Sequence, residues 1–270
     1  MITTVAQSPT NISEVGSMMN KKSVKNREVL THKESAKFLG GNLSFAAAES
    51  YKLLRTNLNF SIPNGKACKV IGITSALKGE GKSTTAVNIA YTMAQAGGKV
   101  LLIEGDLRLP TMSKRLGVNA EPGVSNLLVG QCSIKDAIQN SGMKSNLWVM
   151  TAGELPPNPA ELLGSENMEK LIKVLSESFD AIILDLPPLS VVSDALIASG
   201  YINGMIVVVR QAYCDRRAVD DAIRQLQFAD VKILGFVLNG ANTQTKSYKR
   251  YGKSYKYYGQ RYGDTPGKQR

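Results

Sequence analysis

A chain of 270 residues that is 43% hydrophobic can build a sizeable core, so wholesale disorder is excluded, and its length suits one large domain or two small ones. No apolar run approaches the ~18 residues of a membrane-crossing helix, and the polar stretch 1–20 lacks the basic-then-apolar order of a secretory signal. The net charge of +11 sits mostly in the tails: residues 246–270 carry +7, residues 1–44 carry +3, and residues 45–245 are left with +1.

Residues 1–43 are polar with little apolar periodicity and read as a flexible basic arm ending around Gly40-Gly41. From Ser44 a helix is expected, with Ala48, Tyr51, Leu54 and Leu58 at three-to-four spacing. Strands are then expected at Cys68–Thr74, Val100–Ile103, Leu147–Thr151, Ala181–Asp185, Met205–Val209 and Ile233–Leu238, several of them continuous apolar runs, as strands buried on both faces should be. Helices fall between them, for example at Ser83–Gln95, Ala160–Ser176 and Arg217–Phe228. The alternation implies an α/β, three-layer fold over residues 44–245, with a mostly parallel central sheet flanked by helices and ligands bound at the carboxyl ends of the strands. Residues 246–270 form a basic tail holding six of the ten tyrosines, Tyr248, Tyr251, Tyr255, Tyr257, Tyr258 and Tyr262. Glycines interrupt it and no packing periodicity fits. Its composition suits stacking on single-stranded nucleic acid or a strip of phosphate acceptors, and does not choose between them.

The strongest motif is Ser75-Ala76-Leu77-Lys78-Gly79-Glu80-Gly81-Lys82-Ser83-Thr84, between an expected strand and an expected helix. Gly79 and Gly81 would let backbone N–H groups turn around phosphate, aided by the dipole of the helix starting near Lys82. Lys82 would reach the β- and γ-phosphates, and the Ser83 hydroxyl would ligate Mg²⁺. Ala76 stands where the first glycine of such a loop is usual. Two apolar strands then deliver acids to the same rim: Glu104 and Asp106, followed by Arg108, and Asp185 before Leu186-Pro187-Pro188. Asp185 suits a Mg²⁺-binding role. Cys68, Cys132 and Cys214 are far apart and His32 is the single histidine, so reduced thiols are expected and a zinc site or disulfide framework is not.

Together these residues resemble the bacterial tyrosine kinases of capsule and exopolysaccharide systems, the CpsD/CapB type, P-loop proteins related to MinD and ParA. Residues 79–84 match the family's Walker A motif, Gly105-Asp106-Leu107-Arg108 closes its Walker A′, and Asp185-Leu186-Pro187-Pro188 matches Walker B. The segment Gly153-Glu154-Leu155-Pro156-Pro157-Asn158-Pro159-Ala160-Glu161-Leu162-Leu163 and the tyrosine-rich tail complete the pattern. Glu49, Lys52 and Arg55 fall on the family's Glu-x-x-Arg-x-x-Arg oligomerisation motif, with lysine at the first arginine position; mutual pairing on one helix face is the alternative account of that spacing. Glu104 replaces the first aspartate of Walker A′, one methylene longer, and a ~1 Å displacement there could cost ~10²-fold in rate. Leu77 occupies the position of the MinD signature lysine, which counts against a true MinD or ParA.

The resemblance implies ATP and Mg²⁺ as cofactors. It places Gly79, Glu80, Gly81, Lys82, Ser83, Thr84 and Asn239 around the nucleotide, and Ser83, Asp106 and Asp185 around the metal. Lys82, Glu104, Asp106, Arg108 and Asp185 would carry catalysis, and the six tail tyrosines would accept phosphate. It further implies a homo-oligomeric ring, an octamer by family resemblance, a separate transmembrane adaptor of the polysaccharide co-polymerase type, a cognate phosphotyrosine phosphatase, a cytoplasmic location at the inner membrane face, and no specific nucleic acid. Two other readings are a MinD/ParA-like positioning ATPase and a weakly active regulatory scaffold.

Overall fold

The computed structural model describes residues 39–62 and 68–241, together with the backbone of 3–5. Their strands are β1 (Thr3–Val5), β2 (Lys69–Ser75), β3 (Val100–Glu104), β4 (Gln139–Asn140), β5 (Leu147–Met150), β6 (Ala181–Asp185), β7 (Gly204–Arg210) and β8 (Ile233–Asn239). They form one sheet in the order β1-β8-β7-β2-β6-β3-β5-β4. The six inner strands run parallel, and the short edge strands β1 and β4 are antiparallel to their neighbours.

The apolar runs explain this arrangement. Every residue of β3 and β6 is buried, so both faces of the sheet need a helical cover. On one face Leu102, Ile183 and Val208 pack with α1 (Phe45–Ser61) and α2 (Lys82–Gln95). On the other, Leu101, Leu184 and Val207 pack with α7 (Glu166–Ser176) and α9 (Arg216–Phe228). The result is the expected three-layer α/β fold. The shorter helices are α3 (Met112–Leu116), α4 (Val124–Leu128), α5 (Ile134–Ala137), α6 (Pro159–Leu163) and α8 (Asp194–Ile197).

Three details differ from the sequence reading. The helix expected over 160–176 is two helices, because Gly164 ends α6 and the Ser165 side chain accepts a hydrogen bond from Met168 N at 3.2 Å, starting α7 afresh. Thr3–Val5, inside the expected arm, pairs with Phe236–Leu238 of β8, a match set by tertiary pairing and not by local periodicity. Leu39 is buried, and the adjacent turn Gly40–Asn42 is tied to α2 through Gly40 N, which donates to Asn88 Oδ1 at 2.8 Å. The ordered core therefore starts before Ser44. The remainder of the arm and the tail from residue 242 lie outside the described residues.

Candidate active site

The sheet order places β6 between β2 and β3, with Ile73 and Glu104 both in register with Asp185. The carboxyl ends of these three strands therefore share one rim, and each continues into one of the three sequence motifs. After β2 the chain turns through Gly79 (φ 87°) and Gly81 (φ 99°), both in the left-handed region that glycine tolerates. A side chain at Gly81 would also collide with Asn239 Nδ2.

The outer side of this loop is tied down carbonyl by carbonyl. Tyr213 Oη donates to Lys78 O at 2.8 Å, Arg210 Nη1 to Gly79 O at 3.3 Å, and Asn239 Nδ2 to Glu80 O at 2.8 Å. Glu80 is fully buried and works in the same brace: its carboxylate accepts from Leu77 N at 2.6 Å and from Arg210 N at 3.1 Å. Burial pushes the Glu80 pKa up, and these N–H donors oppose it. With its carbonyls held outward, the loop is free to present N–H groups inward, the arrangement that cradles phosphate.

At the start of α2, Lys82 Nζ lies 3.0 Å from Asp106 Oδ2, 3.4 Å from Asp185 Oδ1 and 3.5 Å from Ser83 Oγ. Burial alone would lower the Lys82 pKa; the charges of Asp185 and Asp106 outweigh it and raise the pKa, so the ammonium stays protonated. Burial raises the Asp185 pKa, against the pull of Lys82 and the Ser83 hydroxyl. Asp185 Oδ2 is sealed from solvent with no hydrogen-bond partner among the described residues. Asp106 Oδ1 accepts from Leu109 N at 3.1 Å, which orients the other oxygen toward Lys82.

Two acids and two bases of the rim are used differently. Glu104 spends its carboxylate on backbone: Oε1 accepts from Thr111 N and, at 2.7 Å, from Met112 N, while Oε2 accepts from Ala152 N at 3.2 Å. Burial pushes its pKa up against those bonds. Arg108 makes a two-pronged pair with the buried Asp194 of α8, at 2.9 and 3.0 Å. Arg115 on α3 donates to Thr84 Oγ1 at 3.4 Å, and its charge is felt at Asp185.

Among the described residues no three His, Cys, Asp or Glu groups converge into a metal cage. Mg²⁺ does not need one: it is usually held by one or two carboxylates plus phosphate oxygens and water. An orphaned, buried Asp185 oxygen beside the Ser83 hydroxyl and Asp106 fits that requirement.

The sequence-selected residues Lys82, Ser83, Asp106 and Asp185 thus converge, with Gly79 and Gly81 shaping the loop. Glu80 and Asn239 stand behind the loop, Thr84 is engaged by Arg115, and Glu104 and Arg108 brace neighbouring segments. On α1, Lys52 pairs with Glu49 at 2.6 Å, whereas Arg55 reaches Thr92 O of α2 at 2.8 Å. The six tail tyrosines lie outside the described residues. Arg115, Asp194, Arg210 and Tyr213 escaped the sequence reading; Arg210 ends a strand, the one local signal any of them carries.

A lysine at a phosphate-type loop, shared by two strand-end carboxylates on a parallel sheet, defines a P-loop nucleotide-binding protein of the ATPase kind. The AAA domain family matches residues 68–230. The chain is 38% identical to tyrosine-protein kinase YwqD of Bacillus subtilis (strain 168) over 206 residues, 76% of this chain and 86% of that protein. It is 37% identical to tyrosine-protein kinase CpsD of Streptococcus agalactiae over 205 residues, 76% and 88% of the two chains. The kinase domain of Escherichia coli tyrosine kinase ETK superposes with a TM-score of 0.72 at 28% identity, covering 84% of this chain and 87% of that one. The chain belongs to the bacterial tyrosine-protein kinase family, as the motif resemblance implied.

Proposed function

We propose that this protein is an ATP- and Mg²⁺-dependent protein-tyrosine kinase that phosphorylates the tyrosines of its own C-terminal tail, in trans within an oligomeric ring, and so regulates capsule or exopolysaccharide synthesis and export. The observation that carries this reading is the convergence of Lys82 with Asp106 and Asp185 at a braced phosphate loop. Mg²⁺, when bound, neutralises charge on the phosphate oxygens. Ser83 and Asp185, with Asp106, would hold it.

In the transfer, Lys82 stabilises negative charge on the γ-phosphoryl group. Asp106 orients the attacking hydroxyl and takes its proton as the tyrosine Oη–P bond forms and the β,γ-bridging P–O bond breaks. Free tyrosine has a pKa of about 10, so a fixed carboxylate helps even when proton transfer is late. Glu104 and Arg108 assist by positioning the segments on either side of Asp106.

Asn239, the last residue of β8, touches the phosphate loop, and the tail follows within a few residues in sequence; this supports delivery of tail tyrosines to a nucleotide site of a neighbouring subunit. Each phosphate adds about −1.5 to −2, so several would reverse the tail's +7 and loosen its contacts within a ring. Glu49, Lys52 and Arg55 would contribute to the ring contact. No helix among the described residues is long and apolar enough to cross a membrane, which fits recruitment to the inner membrane face by a separate transmembrane adaptor. A phosphotyrosine phosphatase would reset the tail.

The test is mass spectrometry of the purified chain after Mg²⁺ and ATP, alone and with an adaptor's cytoplasmic segment. Phosphate on Tyr248–Tyr262 that is lost in Lys82→Met and in EDTA supports the kinase. Tail phosphorylation persisting in purified Lys82→Met would sink the mechanism. ATP hydrolysis with unmodified tyrosines would favour a positioning ATPase.

A further inference from the structure

Glu104 and Arg115 act through one short helix, α3. Glu104, the last residue of β3, accepts hydrogen bonds from Thr111 N and Met112 N, the first turn of α3, and from Ala152 N beyond β5. It is buried, and its bonds from Met112 N and Ala152 N are shielded from water. Three residues further along α3, Arg115 is fixed by its own turn, Nε donating to Thr111 Oγ1 at 3.1 Å. From there its Nη1 reaches Thr84 Oγ1 at 3.4 Å, in the first turn of α2. That turn supplies the N–H groups that receive phosphate in a P-loop protein. Lys82, the other cation of this turn, is already held by Asp106 and Asp185. Arg115 makes no ion pair with a carboxylate among the described residues, yet its guanidinium has donors to spare beside Thr84.

We infer that Arg115 is a second phosphate-binding cation of the nucleotide site, and that Glu104 is the positioning residue that aims it by anchoring the first turn of α3. The inference rests on the kinase reading of the same site. It assigns the extra methylene of Glu104 a purpose: the longer side chain reaches three backbone N–H groups on two segments, and the helix it holds carries an arginine to the phosphates. A guanidinium offers two-point recognition of phosphate that an ammonium does not.

The experiment measures Kd for Mg·ATP and Mg·ADP by fluorescence titration, alongside tail phosphorylation and melting temperature, for the full chain and for Arg115→Ala, Arg115→Lys, Glu104→Asp and the Glu104→Asp/Arg115→Ala double variant. Hydrogen exchange of the Thr111 and Met112 amides is followed in nucleotide-free protein. Arg115→Ala should weaken nucleotide binding ~10-fold, the scale of one charge-assisted bond, with the melting temperature unchanged. Arg115→Lys should recover only part of the loss. Glu104→Asp should speed exchange at Thr111 and Met112 and weaken nucleotide binding, and the double variant should be no weaker than Arg115→Ala alone. Wild-type Kd in Arg115→Ala, or losses that multiply in the double variant, would overturn the inference while leaving the kinase intact. A wild-type chain that binds no Mg·ATP would overturn both.

Discussion

Arg108 holds the fully buried Asp194 through two hydrogen bonds, Nε to Oδ2 at 2.9 Å and Nη2 to Oδ1 at 3.0 Å, and so fastens the segment after β3 to the helix that follows Asp185. Truncating the arginine leaves a buried carboxylate unpaired. Removing one partner of a fully buried pair costs roughly 3–5 kcal/mol, and because the Arg108 side chain is 39% exposed we expect about 2 kcal/mol. Arg108→Ala should lower the melting temperature of nucleotide-free protein by ~4–8 °C. A shift below ~1 °C would show that the pair contributes nothing to the fold.

Removing Lys82 should make stability depend on pH in a defined direction. Burial raises the Asp185 pKa above its ordinary 3.8, Lys82 holds it back, and Asp106 pushes it up. Without the lysine it rises further. A carboxyl whose folded pKa exceeds its unfolded value stabilises the fold below the unfolded pKa, and that contribution disappears as pH rises through the folded pKa. The melting-temperature deficit of Lys82→Met relative to wild type should therefore be larger at pH 8 than at pH 5. An equal deficit at both values would count against Lys82 as the partner of Asp185.

The outer brace of the phosphate loop should control nucleotide affinity. Tyr213→Phe removes the donor to Lys78 O, a bond worth about 1 kcal/mol, and should raise Kd for Mg·ADP roughly fivefold while the melting temperature moves little. Gly81→Ala should be far more severe, since alanine at φ 99° is strained and its Cβ meets Asn239 Nδ2. Calorimetric titration of both variants would check this, and wild-type affinity in Gly81→Ala would contradict the loop geometry.

Thiol reactivity should follow burial. Cys68 and Cys214 are buried, and burial pushes both thiol pKa values up, that of Cys214 further because Glu80 adds negative charge beside it. Cys132 is half-buried. Iodoacetamide on the folded chain should modify Cys132 first, with Cys214 reacting only on unfolding; early labelling of Cys214 by peptide mapping would mean that the region behind the phosphate loop opens.

Local pattern carried much of this. The phosphate loop, the strands ending in Asp185 and near Asp106, and the helix bearing Tyr51, Leu54 and Leu58 were legible because each depends on a short motif or a period that buried strands and helices impose. The break at Gly164-Ser165 was legible in principle from a serine cap that the longer apolar period concealed.

By itself the sequence determined a P-loop α/β protein with strand-end acids and a basic, tyrosine-rich tail, because glycine conformational freedom, apolar periodicity and charge are properties of neighbouring residues. Only the tertiary structure decided what those acids and bases do. Strand order set Asp185 beside Glu104 and Ile73, side-chain reach assigned Glu104 to backbone N–H groups and Asp106 to Lys82, and Arg210, Tyr213 and Asn239 met the phosphate loop across more than a hundred residues of chain. Hydrogen-bond partners are selected by distance in space, and two carboxylates two positions apart in one motif can therefore end in different environments.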